Sequence, residues 1–161
     1  MNIFYLDKCP KRAAQQQCDK HVVKMILESA QMLSTAHHEH GFHAMAYRPT
    51  HKNHPSTIWA RSSMANYRWL YKHFKALSEE YTRRYGRVHL SWVKCGELLK
   101  QPPWGVPDTE FTQPPQCMPD EYKRDCSIAA YRLYYASKAD TIDMRWTNAS
   151  RHFFNQQEVA A

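Results

Sequence analysis

From Lys11 to about His38 the chain contains neither glycine nor proline, and Val22, Ile26, Ala30 and Leu33 recur in it at spacings of three and four. Apolar residues at that period line one face of an α-helix, and a helix of this length must bury that face against other elements. A second such stretch runs from about Ser56 to Tyr85. There Tyr67, Leu70, Phe74, Leu77 and Tyr81 form one stripe, with Pro55 suited to the first turn and Gly86 to the C-terminal cap. A shorter helix is expected from about Ser91 to Leu99. A third long one is expected from Glu121 to about Ala139, opened by Asp120, with Tyr122, Cys126, Ala129, Leu133 and Ala136 sharing a face. These spacings predict an all-α fold, a single compact domain over 1–161 in which three principal helices are joined by long loops.

Between the helices the sequence is irregular. Asn2 to Leu6 is a short apolar run, a strand or an extended lead-in, stopped by Asp7 and Pro10. Glu39 to Pro55 carries Gly41, Pro49 and Pro55; it is longer than ordinary connections, which marks it as a candidate ligand-contacting segment. Gln101 to Pro119 holds six of the nine prolines and cannot form regular structure. The tail from Thr141 carries Met144, Trp146, Phe153 and Phe154, enough apolar surface to dock before fraying over about 156–161.

Charge narrows the partner. Lys and Arg number 22 against 15 Asp and Glu, a formal charge of +7 with ten histidines neutral. Such a balance favours polyanions without separating DNA, RNA, nucleotides and anionic membranes. Combined with the aromatic content it points to nucleic acid, with DNA favoured, or to a nucleotide. The five cysteines are odd in number and lack a C-x-x-C pair, which argues against a disulfide framework or a zinc ribbon and fits a reducing compartment. No basic segment leads into a long apolar run at the start, and no later run has the length of a membrane span, so a cytoplasmic protein without a membrane partner is expected.

Three groups of residues have chemistry to offer. On the first helix Gln17, His21, Lys24, Glu28, Gln31 and Thr35 fall on the side opposite Val22, Val23, Ile26, Leu27, Ala30 and Leu33. A solvated face accounts for such a stripe as well as a site does. Yet Lys24 before Glu28 is the less stabilising order for an i,i+4 pair. His21, Lys24 and Glu28 also bring a possible base, an amine and a carboxylate together, and they are the candidate catalytic residues. The second group is the run from Tyr47 to Arg61, in which His51, Asn53, His54 and Arg61 could hold phosphate, beside free amide groups at a helix opened by Pro55. Lys20, Tyr47 and Trp59 join these as candidate substrate contacts. The third group, Asn66, Trp69, Arg83, Arg84, Arg87 and His89, could extend a nucleic-acid groove, with Asn66 and Arg84 as candidate contacts and Trp69 equally suited to the core. His37, His38, His40 and His43 cluster without an H-E-x-x-H or paired Cys-His pattern, so no metal or other cofactor is expected.

The order of these elements, with Met118-Pro119-Asp120-Glu121 leading through Cys126-Ser127-Ile128-Ala129-Ala130 to Arg145-Trp146, and Leu6 to Gln17 near the start, resembles the pyrimidine-dimer DNA glycosylases of the phage endonuclease V type. The phrases Cys18-Asp19-Lys20-His21-Val22-Val23-Lys24-Met25 and Thr50-His51-Lys52-Asn53-His54-Pro55 also resemble those of small phage proteins with no settled activity. The glycosylase resemblance implies an all-helical fold and metal-free attack on the sugar C1′ by an N-terminal amine, assisted by a glutamate of the first helix. That family exposes the amine of a small residue after Met removal, whereas Asn2 is bulky for ordinary removal of Met1. Aligning the lead-ins puts the family's glutamate nearest Lys24 or Ile26, while the carboxylates on this helix are Asp19 and Glu28. The leading expectation is a DNA-directed enzyme acting at an N-glycosidic bond or on a modified or damaged base. A non-catalytic nucleic-acid module and an enzyme of free nucleotides are the alternatives.

Overall fold

The computed structural model describes residues 1–149. Six α-helices follow in order: α1 Pro10–Gln15, α2 Asp19–Glu39, α3 Pro55–Ser62, α4 Met64–Tyr85, α5 Leu90–Cys95 and α6 Ser127–Ala136. Short 3-10 turns, Asp120–Tyr122 and Ser137–Asp140, flank α6. The architecture is all-α, with α2, α4 and α6 as its three principal helices and no strand among the described residues. No helix among them is long and apolar enough to cross a membrane.

The helices pack because their apolar stripes meet. α2 and α4 lie against each other, α1 packs on α4, and α3 fills the angle between α2 and α4. Val22, Ile26 and Leu33 of α2 and Leu70, Phe74 and Leu77 of α4 are fully buried together with Leu6. The lead-in 1–6 is an extended strap rather than a strand. It lies inside the core, where Gln17 Nε2 donates to Ile3 O and Arg132 Nε to Leu6 O. All five cysteines are free. Met144 and Trp146 pack against the core, as the apolar tail requires, whereas Phe153, Phe154 and the expected fraying over 156–161 lie outside the described residues.

Each long helix is interrupted where side chains outbid the helical hydrogen bonds. The first is broken between Gln15 and Asp19, and Cys18 is extended at φ −68°, ψ 164°. The carbonyls of Gln15 and Gln17 accept from the Arg84 guanidinium, that of Gln16 accepts from Trp146 Nε1, and the Cys18 amide donates to Tyr135 Oη. Backbone groups satisfied in this way need no helix. The second is broken at Ser63 (φ −153°, ψ 151°), whose hydroxyl caps α4 by accepting from Asn66 N, while Met64 N donates to Pro107 O. Gly86 ends α4 in the left-handed conformation at φ 68°. The third is shorter than its periodicity implies. Gln116 engages both the amide and the carbonyl of Arg124, and Gln113 Oε1 accepts from Ser127 N, so α6 begins only at Ser127. Its buried face is also different, since Cys126 and Ala129 are exposed while Ala130, Tyr131 and Tyr135 are buried.

Arg84, expected to reach DNA, instead belongs to the interior. Its side chain is fully buried, pairs with Asp19 at 3.1 Å and Glu80 at 3.2 Å, and donates to Gln15 O and Gln17 O. Arg84→Ala takes the guanidinium away from two carboxylates and two carbonyls, and a loss of about 3–5 kcal/mol in urea unfolding is expected. An unchanged denaturation midpoint would contradict this placement.

His73 is equally committed. Its Nδ1–H donates to Pro10 O at 2.9 Å, so its Nε2 accepts from Gln17 Nε2 at 3.1 Å. Burial, the largest cause, pushes its pKa down to about 4. The folded chain therefore holds His73 neutral, while the unfolded chain protonates it near its ordinary value. The stabilisation is complete above about pH 6.5 and is lost as pH falls from there towards about 4, roughly 2 kcal/mol being gone at about pH 5. Melting temperatures across this window should fall with acidification, and less steeply in His73→Gln.

Candidate active site

Positions 21, 24 and 28 are three and four apart on α2, so their side chains leave adjacent turns of one face. The lead-in strap crosses that face. Asn2 fixes the crossing: its Oδ1 accepts from the amides of Ile3 and Phe4 at 2.8 and 3.3 Å, and its Nδ2 donates to Cys117 O at 3.2 Å. Phe4 is thereby held at φ 52°, a left-handed conformation that costs a non-glycine residue energy unless its surroundings enforce it. The result is that the backbone nitrogen of Asn2 donates to Glu28 Oε2 at 3.1 Å. Lys24 Nζ lies 3.4 Å from the other oxygen, Oε1.

Strap, α2 and the end of α6 enclose a cavity of about 390 Å³. His21, Lys24 and Glu28 line it, joined by Met1, Asn2, Phe4, Cys117, Tyr134 and Lys138. The ammonium group of Lys138 sits 4.1 Å from the centroid of the Tyr134 ring, a cation–π contact. His21 is almost entirely buried, and its pKa is pushed down to about 4, first by burial and then by the cations of Lys24 and Lys138. The imidazole is therefore uncharged at neutral pH.

The 47–61 stretch reaches the same region at one point. Thr50 is tied to α2, its amide donating to Thr35 Oγ1 at 3.1 Å. His51 stands at φ 47° with its Nδ1 2.7 Å from Thr50 Oγ1. His54 lies within electrostatic reach of the amino terminus, His51 and Glu28. Burial chiefly lowers its pKa, the amino terminus and His51 add to that, and Glu28 pulls the other way. Gln17 and Thr35, on the same stripe as Glu28, are buried under the strap and this loop, whereas Lys24 is exposed.

Other candidates fall elsewhere. The amides at the start of α3 are not open to phosphate, because His54 caps them: Ser56 N donates to its Nδ1 and Thr57 N and Ile58 N to its carbonyl. Arg61 faces Glu39 at 4.0 Å. Trp59 is buried, its Nε1 donating to Thr112 O. Asn66 is also buried, its Nδ2 donating to Trp59 O and to Thr112 Oγ1. The Tyr47 hydroxyl shares a hydrogen bond with Ser91 Oγ. Trp69 belongs to the core and donates to Lys8 O. Lys20 and Asn53 are exposed. His38 and His43 meet with their Nδ1 atoms 3.3 Å apart, and no three His, Cys, Asp or Glu side chains among the described residues gather where a metal ion could sit.

Sequence spacing missed Asn2, Phe4, Cys117, Tyr134 and Lys138. Only the i,i+4 relation of Tyr134 and Lys138 is a local signal, and their distance along the chain from α2 hides its meaning. Glu28 is the carboxylate that the strap meets. Aligning the lead-ins put the functional glutamate nearest Lys24 or Ile26, but the strap lies across α2 beside Glu28, a turn further on.

A family model described as pyrimidine dimer DNA glycosylase matches residues 1–94. That span takes in the strap, α1 to α4, His21, Lys24, Glu28 and the whole 47–61 stretch. No curated protein and no solved structure matches the chain.

Because His54 caps α3 through Nδ1, His54→Ala should cost about 1 kcal/mol in thermal or urea unfolding, and His54→Asn, a good N-cap, should recover most of it. Equal stability of all three proteins would show that the cap contributes nothing.

Proposed function

The chain belongs to the pyrimidine dimer DNA glycosylase family, and we propose that it releases a damaged or modified base from DNA by breaking the N-glycosidic bond in the cavity between the strap and α2. The observation that carries this reading is the nitrogen of Asn2 held 3.1 Å from Glu28 inside a cavity that also holds two lysines.

In this reading a nucleophile attacks C1′ of the sugar, the C1′–N bond breaks, and the departing base takes the electron pair. The nucleophile is an amine at the chain start or that of Lys24, and Glu28 accepts the proton it gives up. The second proton then passes to the ring oxygen as the C1′–O4′ bond opens, which leaves an imine. In the chain as it stands the residue-2 nitrogen is a peptide amide, so the free amines on the cavity wall are those of Met1, Lys24 and Lys138. His51, Asn53 and Lys52, beside His54, would hold the DNA backbone, in keeping with the formal charge of +7. Lys24 Nζ, 3.4 Å from Glu28 Oε1, gives that carboxylate a cationic neighbour.

Borohydride reduction during reaction with duplexes carrying pyrimidine dimers, abasic sites or modified bases should trap a covalent adduct. Peptide mapping should place that adduct at the chain start or at Lys24. Glu28→Gln should bind the same duplex and release base about a hundredfold more slowly or worse. Base release without any trapped adduct would replace the amine with a Glu28-activated water, and full activity in Glu28→Gln would sink the site.

A further inference from the structure

The buried edge of His21 carries an assignment that deepens the glycosylase reading and rests on it. The Cys18 amide, at the start of α2, donates to Tyr135 Oη at 2.8 Å. A backbone amide can only donate, so the phenol oxygen is the acceptor there. The same oxygen lies 2.8 Å from His21 Nδ1. Burial, the largest cause, raises the Tyr135 pKa well above its ordinary value, so the group remains a phenol and keeps its proton. That proton is available to Nδ1, and a neutral imidazole that accepts it there carries its own on Nε2.

The ring is also held in place. Phe4 packs on it with centroids 4.5 Å apart and planes 31° from parallel, and Cys18 Sγ lies 3.5 Å from Nδ1. His21 lies on the cavity wall with Lys24 and Glu28. A neutral N–H fixed in such a place is a hydrogen-bond donor ready for charge that develops during reaction. It needs no reorganisation, and it serves where an imidazolium would already be paired.

We propose that Tyr135 is a positioning residue that fixes His21 as an Nε2–H donor, and that this donor receives the negative charge developing on the departing base. As the C1′–N bond breaks, its electron pair moves onto the base, and the acceptor atom of the base is held by Nε2–H without proton transfer. The nucleophile's proton passes to Glu28 and from there to the base. His21 is thus neither the general base nor a charged acid.

Nitrogen-15 imidazole spectra of the free protein at neutral pH read the tautomer directly, and Nε2 should be the protonated nitrogen of His21. Tyr135→Phe should lose this single tautomer and slow single-turnover base release by about tenfold or more, with DNA affinity unchanged. His21→Ala should slow release by about 10²–10³-fold. His21→Gln, which places an amide N–H near the Nε2 position, should recover at least part of that loss. An Nδ1-protonated His21 in the wild-type protein, or a Tyr135→Phe protein with the native tautomer and rate, overturns the proposal. Should Tyr135→Phe fail to fold, the wild-type spectrum and the two His21 variants decide. A protein that releases no base from any duplex removes the glycosylase reading instead, and the tautomer, read without substrate, still tests the role of Tyr135.

Discussion

One buried guanidinium sets the frame for the rest. Arg84 projects from the last turn of α4 into the junction between α1 and α2, and there it satisfies Gln15 O, Gln17 O and Asp19 while pairing with Glu80 on its own helix. A buried charge of this kind returns little net stability compared with apolar packing, but it tolerates few arrangements of its partners. Its effect here is geometric. By holding the chain out of the helix over Gln16–Cys18, it sets where α2 begins, and with it the direction in which His21, Lys24 and Glu28 leave the helix. Trp146 completes the junction at Gln16 O, and the Thr147 amide reaches Asp19, so the C-terminal segment is part of the same lock.

From that junction the site follows. A single carboxylate, Glu28, stands among two lysines and two histidines whose pKa values burial depresses. The cavity is thus cationic through its lysines while the His21 imidazole on its wall stays neutral. Hydrogen-bond donors in such a setting gain strength from exclusion of water. The strap adds a left-handed Phe4 on the cavity wall, and the 47–61 stretch a left-handed His51.

Periodicity made the helices legible because α2 and α4 do bury apolar stripes, although Val23 and Leu27 of α2 stay exposed; Tyr67, Leu70, Phe74, Leu77 and Tyr81 lie where the spacing of the second stretch puts them. The interruptions were not legible. Nothing local at Gln16–Cys18 announces that Arg84, Trp146 and Tyr135 will take over its backbone groups, since all three lie far along the chain. The polar stripe of α2 was readable as a candidate site, and His21, Lys24 and Glu28 do share one cavity. Its other wall was hidden, because Asn2, Tyr134 and Lys138 join it only through tertiary packing. Polar residues such as Asn66 and Arg84 misled for a related reason. Type alone does not distinguish a group that reaches outward from one that satisfies buried carbonyls.

The strap has a further consequence for how the molecule comes into being. Asn2 leans on Cys117 and Leu6 on Arg132, partners more than a hundred residues away. Those two anchors form only after the chain past Arg132 has been made, although Gln17 and Glu28 offer the strap nearer ones. Helix pairing among α1 to α4 requires only nearer contacts and can proceed during that interval. The cavity is thus completed only when Tyr134 and Lys138 join the wall that the strap and α2 provide.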